Sequence, residues 1–322
     1  MEGMNVLGAL RMAGDRLLGR GPDMTEMPEL LAHGDRRGPD FICIGAQKGG
    51  TRWLFDQLNH HPDFWMPPIK ELHYFNENIH LKWAEPLFSR ARYVRGRLNR
   101  KLERSQMRAL DDVDVEWLRA LMWLHGKPID FDLYSRLFSP KGERLSGDIT
   151  PTYAIIAEEK VKAACANLPE AKIVYLVREP IERFWSHYFM IARQQKFENA
   201  ADLATVEDFI RTGSGVRHSS PTKNVARWKE AGAEGRFGLF FFDELRTDPA
   251  GLRASIVSFL GGDPGKASGT LPPGFNRKSK DPKVVMSDRV RDHLIDLLGG
   301  EIRAAATEFG GPAREWPRKY GL

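Results

Sequence analysis

Residues Phe41–Leu58 read FICIGAQKGGTRWLFDQL. A short apolar run leads into Gly45. A loop holding Lys48, Gly49, Gly50 and Thr51 follows, and then a helix-like run begins. This order makes an anion cradle. Glycines let backbone N–H groups turn inward, and the start of the helix adds its positive end. Thr51 and Arg52 bring further donors in their side chains. The loop departs from that of ATP and GTP enzymes, G-x-x-x-x-G-K-[ST], where lysine follows the last glycine. Here Lys48 precedes the last glycine, Gly50, by two.

Working outward, KIVYLV (172–177) is a continuous apolar run, the mark of a strand buried on both faces of a parallel sheet. Arg178 ends it, and a helix with Pro180 in its first turn follows. RFGLFFFDEL (236–245) reads as another buried strand, and LSGDITPTY (145–153) as a strand and turn. MPPIKELHYFN (66–76) reads as a proline-set loop leading into an extended piece. Residues 248–261 suit a helix with Asp248 as N-cap, and 287–309 a helix pair or one broken helix. Strands alternating with helices predict an α/β fold with a mainly parallel central sheet flanked by helices. The expected organisation is an N-terminal extension over 1–38 and one domain over 39–322, with a helical insertion at about 81–145. Ligands bind beyond the carboxyl ends of such strands. The segments starting at Gly45 and Arg178 should therefore lie side by side.

The chain has 322 residues, 42% hydrophobic and 28% charged, with a formal net charge of +5. That describes a globular protein with a mild preference for anions. Cys43 and Cys165 are its two cysteines and read as buried free thiols, which favours a reducing, cytoplasmic location. No run approaches the roughly 18 apolar residues of a membrane span. Arg11, Asp15 and Arg16 spoil the N-terminus as a secretory segment, leaving peripheral membrane contact by a weak amphipathic helix as its membrane option. No nucleic-acid recognition module is legible. No metal-ligand pattern stands out either, and His60–His61 lacks the i,i+4 spacing of a zinc helix. Between Arg90 and Arg108 eight basic residues face one acid, Glu103, which suits a solvated face or the groove of an acidic acceptor.

Four motifs carry a resemblance. GAQKGGTRWL (45–54) resembles the 5′-phosphosulfate loop of sulfotransferases that use 3′-phosphoadenosine 5′-phosphosulfate (PAPS). KELHYF (70–75) resembles the E-x-H-F-F stretch of the heparan sulfate sulfotransferase-like branch. GDITPTY (147–153) resembles G-E-x-[ST]-P-x-Y, and LVREPIERFWSHY (176–188) resembles the 3′-phosphate segment. They occur in the family's order, and the likeness runs from about Asp40 to the C-terminus.

The resemblance implies a P-loop-like sulfotransferase architecture. The activity would be in-line transfer of a sulfuryl group from PAPS, without metal, to a hydroxyl or amine of an acceptor. It makes Glu71 the general base, with His73 as the alternative base or a positioning partner. Lys48 would stabilise the leaving phosphate, which answers its odd place in the loop: charge collects on one phosphate during transfer. It assigns cofactor binding to Lys48, Gly49, Gly50, Thr51, Arg52, Arg178 and Ser186, and to Arg277 and Lys278 in the FNRKSK loop (275–280). Trp53 stands where cytosolic members place an aromatic against adenine, and a tryptophan here equally suits the core. Two departures concern the acceptor: Asn76 and Ile149 stand where heparan-modifying members often carry Asp and Lys. The rivals are a P-loop kinase or NTPase, which demands G-K-[ST], and a binding relative that has lost turnover.

Overall fold

The computed structural model describes residues 25–322 apart from 77, 78, 80, 106, 198, 267–270 and 276–284. Arg277, Lys278 and the proposed N-terminal amphipathic helix lie outside the described residues. Four strands, β1 (Phe41–Gly45), β2 (Gly147–Ile149), β3 (Lys172–Val177) and β4 (Phe237–Phe241), form one parallel sheet in the order β2-β1-β3-β4. In register, Ile42 stands beside Asp148 on one side and Ile173 on the other. The chain moves from β1 to one side, then returns to place β3 on the other. The order therefore reverses between β1 and β3, and the crevice of an open α/β sheet lies at that point.

Apolar alternation divides the core between the two faces. Ile42, Ile44, Tyr175 and Val177 belong to the larger cluster. Phe41, Cys43, Val174 and Leu176 face the other way, onto Trp53, Leu54 and Leu58 of α1 (Thr51–Asn59). The sequence reading of β4 as buried needs correction. It is an edge strand with only Gly238 buried, because a single neighbour, β3, covers it.

The insertion is helical. It holds α2 (Leu81–Arg104), kinked at Val94, and α3 (Asp112–Leu124), whose start is fixed by a capping box between Asp111 and Asp114. Arg90, Arg92, Arg97, Arg100, Lys101 and Arg104 are exposed along α2. The described part of the N-terminal extension docks on the domain: Leu31 is buried and its carbonyl accepts from Arg136 Nη1 at 2.9 Å. Helices α4 (Glu158–Asn167), α5 (Pro180–Gln195), α6 (Pro221–Trp228) and α7 (Pro249–Leu260) complete the layers, with α8 (Asp288–Phe309). As expected, the Asp248 side chain caps α7, accepting from Gly251 N. The 287–309 region is one helix, because Leu298, Ile302 and Ala305 keep a single buried face past Gly299–Gly300. Both cysteines are buried and free. Among the described residues no helix is long and apolar enough to cross a membrane.

Candidate active site

The loop after β1 is pressed against the end of β3. A Cβ at Gly49 would sit 2.5 Å from the Leu176 carbonyl oxygen, so only glycine fits. Gly50 caps α1 at φ 97°, a left-handed conformation that suits glycine. Lys48 adopts φ 69°, Glu71 69° and His73 55°. These three are the residues to which the sequence assigns chemistry. Left-handed backbone costs a side-chain-bearing residue about 1–2 kcal/mol, and such cost concentrates where function over-determines the conformation.

The two strand ends meet as the topology requires. Arg178 Nη1 donates to the Lys48 carbonyl at 2.9 Å, fastening the β3 end to the loop. The Arg178 side chain is largely buried and its Nε has no partner among the described residues. Its guanidinium also lies 4.5 Å from the Phe242 ring centroid and 3.4 Å from Glu182. Ser186 stands on α5 one turn beyond Glu182, so the two share a face. Glu179 accepts from the N–H groups of Ile181 and Glu182, which pins the start of that helix behind Arg178.

On the opposite side of the loop, Lys70 pairs with Glu71, and His73 Nε2 lies 3.5 Å from the other carboxylate oxygen. Burial pulls the Glu71 carboxyl up, but the bond with His73 and the charge of Lys70 outweigh it and hold it down to about 2. His73 Nδ1 is 3.2 Å from Thr152 Oγ1. The segment is not the extended piece that the sequence suggests. Among the described residues no strand pairs with it: the Tyr74 N–H donates to Tyr153 OH at 2.9 Å, and Tyr74–Asn76 form a 3₁₀ turn. Beneath it the buried Asp148 accepts from Thr150 (2.6 Å), Tyr153 (2.8 Å) and Tyr134 (3.1 Å). That network fixes the loop carrying Glu71, since buried polar groups with all partners in place rigidify their surroundings.

Not every expected residue faces the crevice. Arg52 is half-exposed and turned toward Asp56, 3.7 Å away. Trp53 is 1% exposed, and its Nε1 donates to the Pro273 carbonyl at 2.7 Å. With no ring face open it packs in the core instead of offering a stacking surface. Together with Gln57, which donates to Pro272, it ties α1 to the segment that precedes the FNRKSK loop.

Arg183 was not legible as a site residue. It is buried on α5 and donates to Ser219 Oγ (2.8 Å), the Gly215 carbonyl (2.6 Å) and the Gln47 carbonyl (3.4 Å). Burial and nearby Arg178 push its guanidinium down to about 9. Burial, Arg183 and Lys48 hold His187 down to about 3, so that imidazole is neutral. Lys48 itself is lowered by burial and by Arg193, Arg178 and Arg183. The sequence offered only an Arg183–His187 pair at i,i+4, and the fold is what buries the face that carries it. The crevice thus gathers positive charge around the loop after β1.

A family model described as "Sulfotransferase family" matches residues 39–263. The chain belongs to the sulfotransferase family. It is 23% identical over 244 residues to heparan sulfate glucosamine 3-O-sulfotransferase 6 of Homo sapiens, covering 74% of this chain and 57% of that protein. It is 25% identical over 150 residues to sulfotransferase 2A1 of Rattus norvegicus, covering 46% of this chain and 50% of that one. The chain thus spans 57% and 50% of the lengths of these two relatives. A solved sulfotransferase from Alicyclobacillus acidocaldarius superposes with TM-score 0.57 at 20% identity, over 86% of this chain and 98% of that one, and this likeness shows the fold. For a sulfotransferase the site is apt. The glycine-only approach at Gly49, the unpartnered Arg178 Nε and the cations around Lys48 fit a phosphate-bearing sulfuryl donor.

Proposed function

We propose that this sulfotransferase transfers the sulfuryl group of PAPS to a hydroxyl or amine, with Glu71 as general base and Lys48 stabilising the phosphate that leaves. The observation that carries the reading is the fastening of the Arg178 strand end to the Lys48 loop at the reversal point of the sheet. Arg178 Nη1 donates to the Lys48 carbonyl at 2.9 Å. When bound, PAPS supplies the activated sulfuryl group and departs as adenosine 3′,5′-bisphosphate. Lys48, Gly49, Gly50 and Thr51 hold the 5′ end, and Arg178 with Ser186 holds the 3′-phosphate.

Glu71 is favoured over His73 as the base. Both ring nitrogens of His73 are engaged, one by Glu71 and one by Thr152, and its side chain is 10% exposed. The Glu71 side chain is 41% exposed and can meet an acceptor. His73 and Lys70 then orient that carboxylate. Two buried free thiols keep a reducing, cytoplasmic setting as part of the proposal.

A PAPS-dependent transfer screen across glycans, phenols, steroids and amines, read by mass, tests the activity. No sulfated product from any class, with the bisphosphate still bound, would point to a binding relative. The cofactor is tested separately by melting. Adenosine 3′,5′-bisphosphate at 100 times its Kd should add about 2.7 kcal/mol of stability. ATP with Mg²⁺ should do less at equal concentration, and a larger shift from ATP–Mg²⁺ revives the kinase reading.

Lys70 gives a prediction on pH. Its charge helps to hold Glu71 at about 2. Lys70→Met should let that value rise toward the ordinary 4.5, so the acid limb of kcat/KM should move up by about one unit. An acid limb that stays in place would mean that Glu71 is not the group whose ionisation limits the rate.

A further inference from the structure

We propose that Arg246 and Lys319 read the 3′-phosphate together with Arg178, and that Glu182 is the carboxylate that gathers these three cations. The inference rests on reading the crevice as a PAPS site. Glu182 Oε2 lies 2.9 Å from Arg246 Nη2 and 3.4 Å from Arg178 Nη2, and Glu182 Oε1 lies 3.2 Å from Lys319 Nζ. Two guanidinium groups therefore share one carboxylate oxygen. Both also lie over the Phe242 ring, at 4.5 Å for Arg178 and 5.1 Å for Arg246. Phe242 follows β4, donates its N–H to the Val177 carbonyl at 2.8 Å, and stands against the space above Gly50. The cluster is thus continuous with the phosphate loop and the end of β3.

Charge gives the cluster its meaning. Three cations on one carboxylate leave a surplus of two positive charges. Glu179 also acts on Arg178 by charge, but its oxygens are engaged by two α5 N–H groups and by Tyr320 OH at 2.8 Å. A phosphate monoester carries about −1.5 to −2 at neutral pH, which matches the surplus. A sulfate monoester or a single carboxylate carries only one negative charge and would leave part of it uncompensated. Arg178 has a buried Nε without a partner among the described residues, while Arg246 and Lys319 are 52% and 38% exposed at the rim. The arrangement suits one deep guanidinium contact and two outer cations that add charge and orientation. Residues 317–320 thereby contribute to cofactor choice, a role that neither the loop motif nor the Arg178 segment discloses.

The test is calorimetric titration of adenosine 3′,5′-bisphosphate and adenosine 5′-monophosphate against the parent and five variants. Arg246→Ala and Lys319→Ala should each weaken the bisphosphate about fivefold, and the double variant about twentyfold, with the monophosphate unchanged. Arg246→Lys should recover most of the loss, which a purely structural role for the guanidinium would not allow. Arg178→Ala is the control for the site itself and should lower the preference for the bisphosphate most. If Arg178→Ala lowers that preference but the double variant leaves it intact, the assignment of Arg246 and Lys319 is overturned. If Arg178→Ala also leaves it intact, the reading of the crevice falls and takes this assignment with it.

Discussion

Glu71→Gln should lower kcat by roughly 10²–10⁴ while leaving the affinity for adenosine 3′,5′-bisphosphate nearly unchanged. The substitution keeps the shape of the side chain and an oxygen that can accept from Lys70. It removes only the basicity that the acceptor proton requires. Glu71 is held at about 2, so the carboxylate is ionised throughout the working range. It is accordingly a weak base toward a free hydroxyl. In the proposed reaction the proton moves once the acceptor atom has begun to bond to sulfur and has become acidic, so loss of the base falls on the transition state and not on binding. His73→Gln should cost much less, because it disturbs only the orientation of the carboxylate. Single-turnover rates for the two variants, with cofactor affinity measured beside them, decide the matter. A Glu71→Gln enzyme within a few-fold of the parent beside an inactive His73→Gln enzyme would transfer the role of base to His73.

What was legible in the sequence follows from what determines each part. β1 and β3 are covered on both faces, so they read as apolar runs and their placement needed no tertiary knowledge. The loop between β1 and α1 declares itself through glycines that its close approach to β3 demands. The segment from Lys70 to Asn76 was misread as extended because its conformation is imposed from afar. Tyr153 and Thr150, some eighty residues on, take its N–H groups, and local propensity records none of this. Arg183 was missed for a similar reason. An arginine on a helix ordinarily faces water, and its burial becomes visible only once Gly215, Ser219 and Gln47 are packed around it. The pairing of Arg178 with Glu182 was foreseeable from i,i+4 spacing, whereas the arrival of Lys319 on that carboxylate depends on the fold.

Lys48→Gly should make the protein more stable and close to inactive. Lys48 holds φ 69°, a conformation that glycine adopts without strain, so the backbone alone should gain up to about 1 kcal/mol. The charge acts in the same direction. Burial and the cations of Arg193, Arg178 and Arg183 lower the Lys48 pKa in the folded protein. A lowered folded value means that at pH 7 the charged lysine binds its proton more tightly in the unfolded chain. It therefore costs stability there, and the cost fades only as pH rises toward the unfolded value. Lys48→Met separates the two terms, since it removes the charge and leaves the strained backbone. Its melting temperature should fall between those of the parent and the glycine variant. Both variants should lose about 10²–10³ in kcat, the scale of one preorganised electrostatic contact to the leaving group. Both should also bind the bisphosphate more weakly, since the ammonium meets the phosphate in the ground state too. Destabilisation in both variants at neutral pH would show that Lys48 is held for the fold. Its left-handed backbone and its cationic surroundings would then need another explanation than the proposed anion.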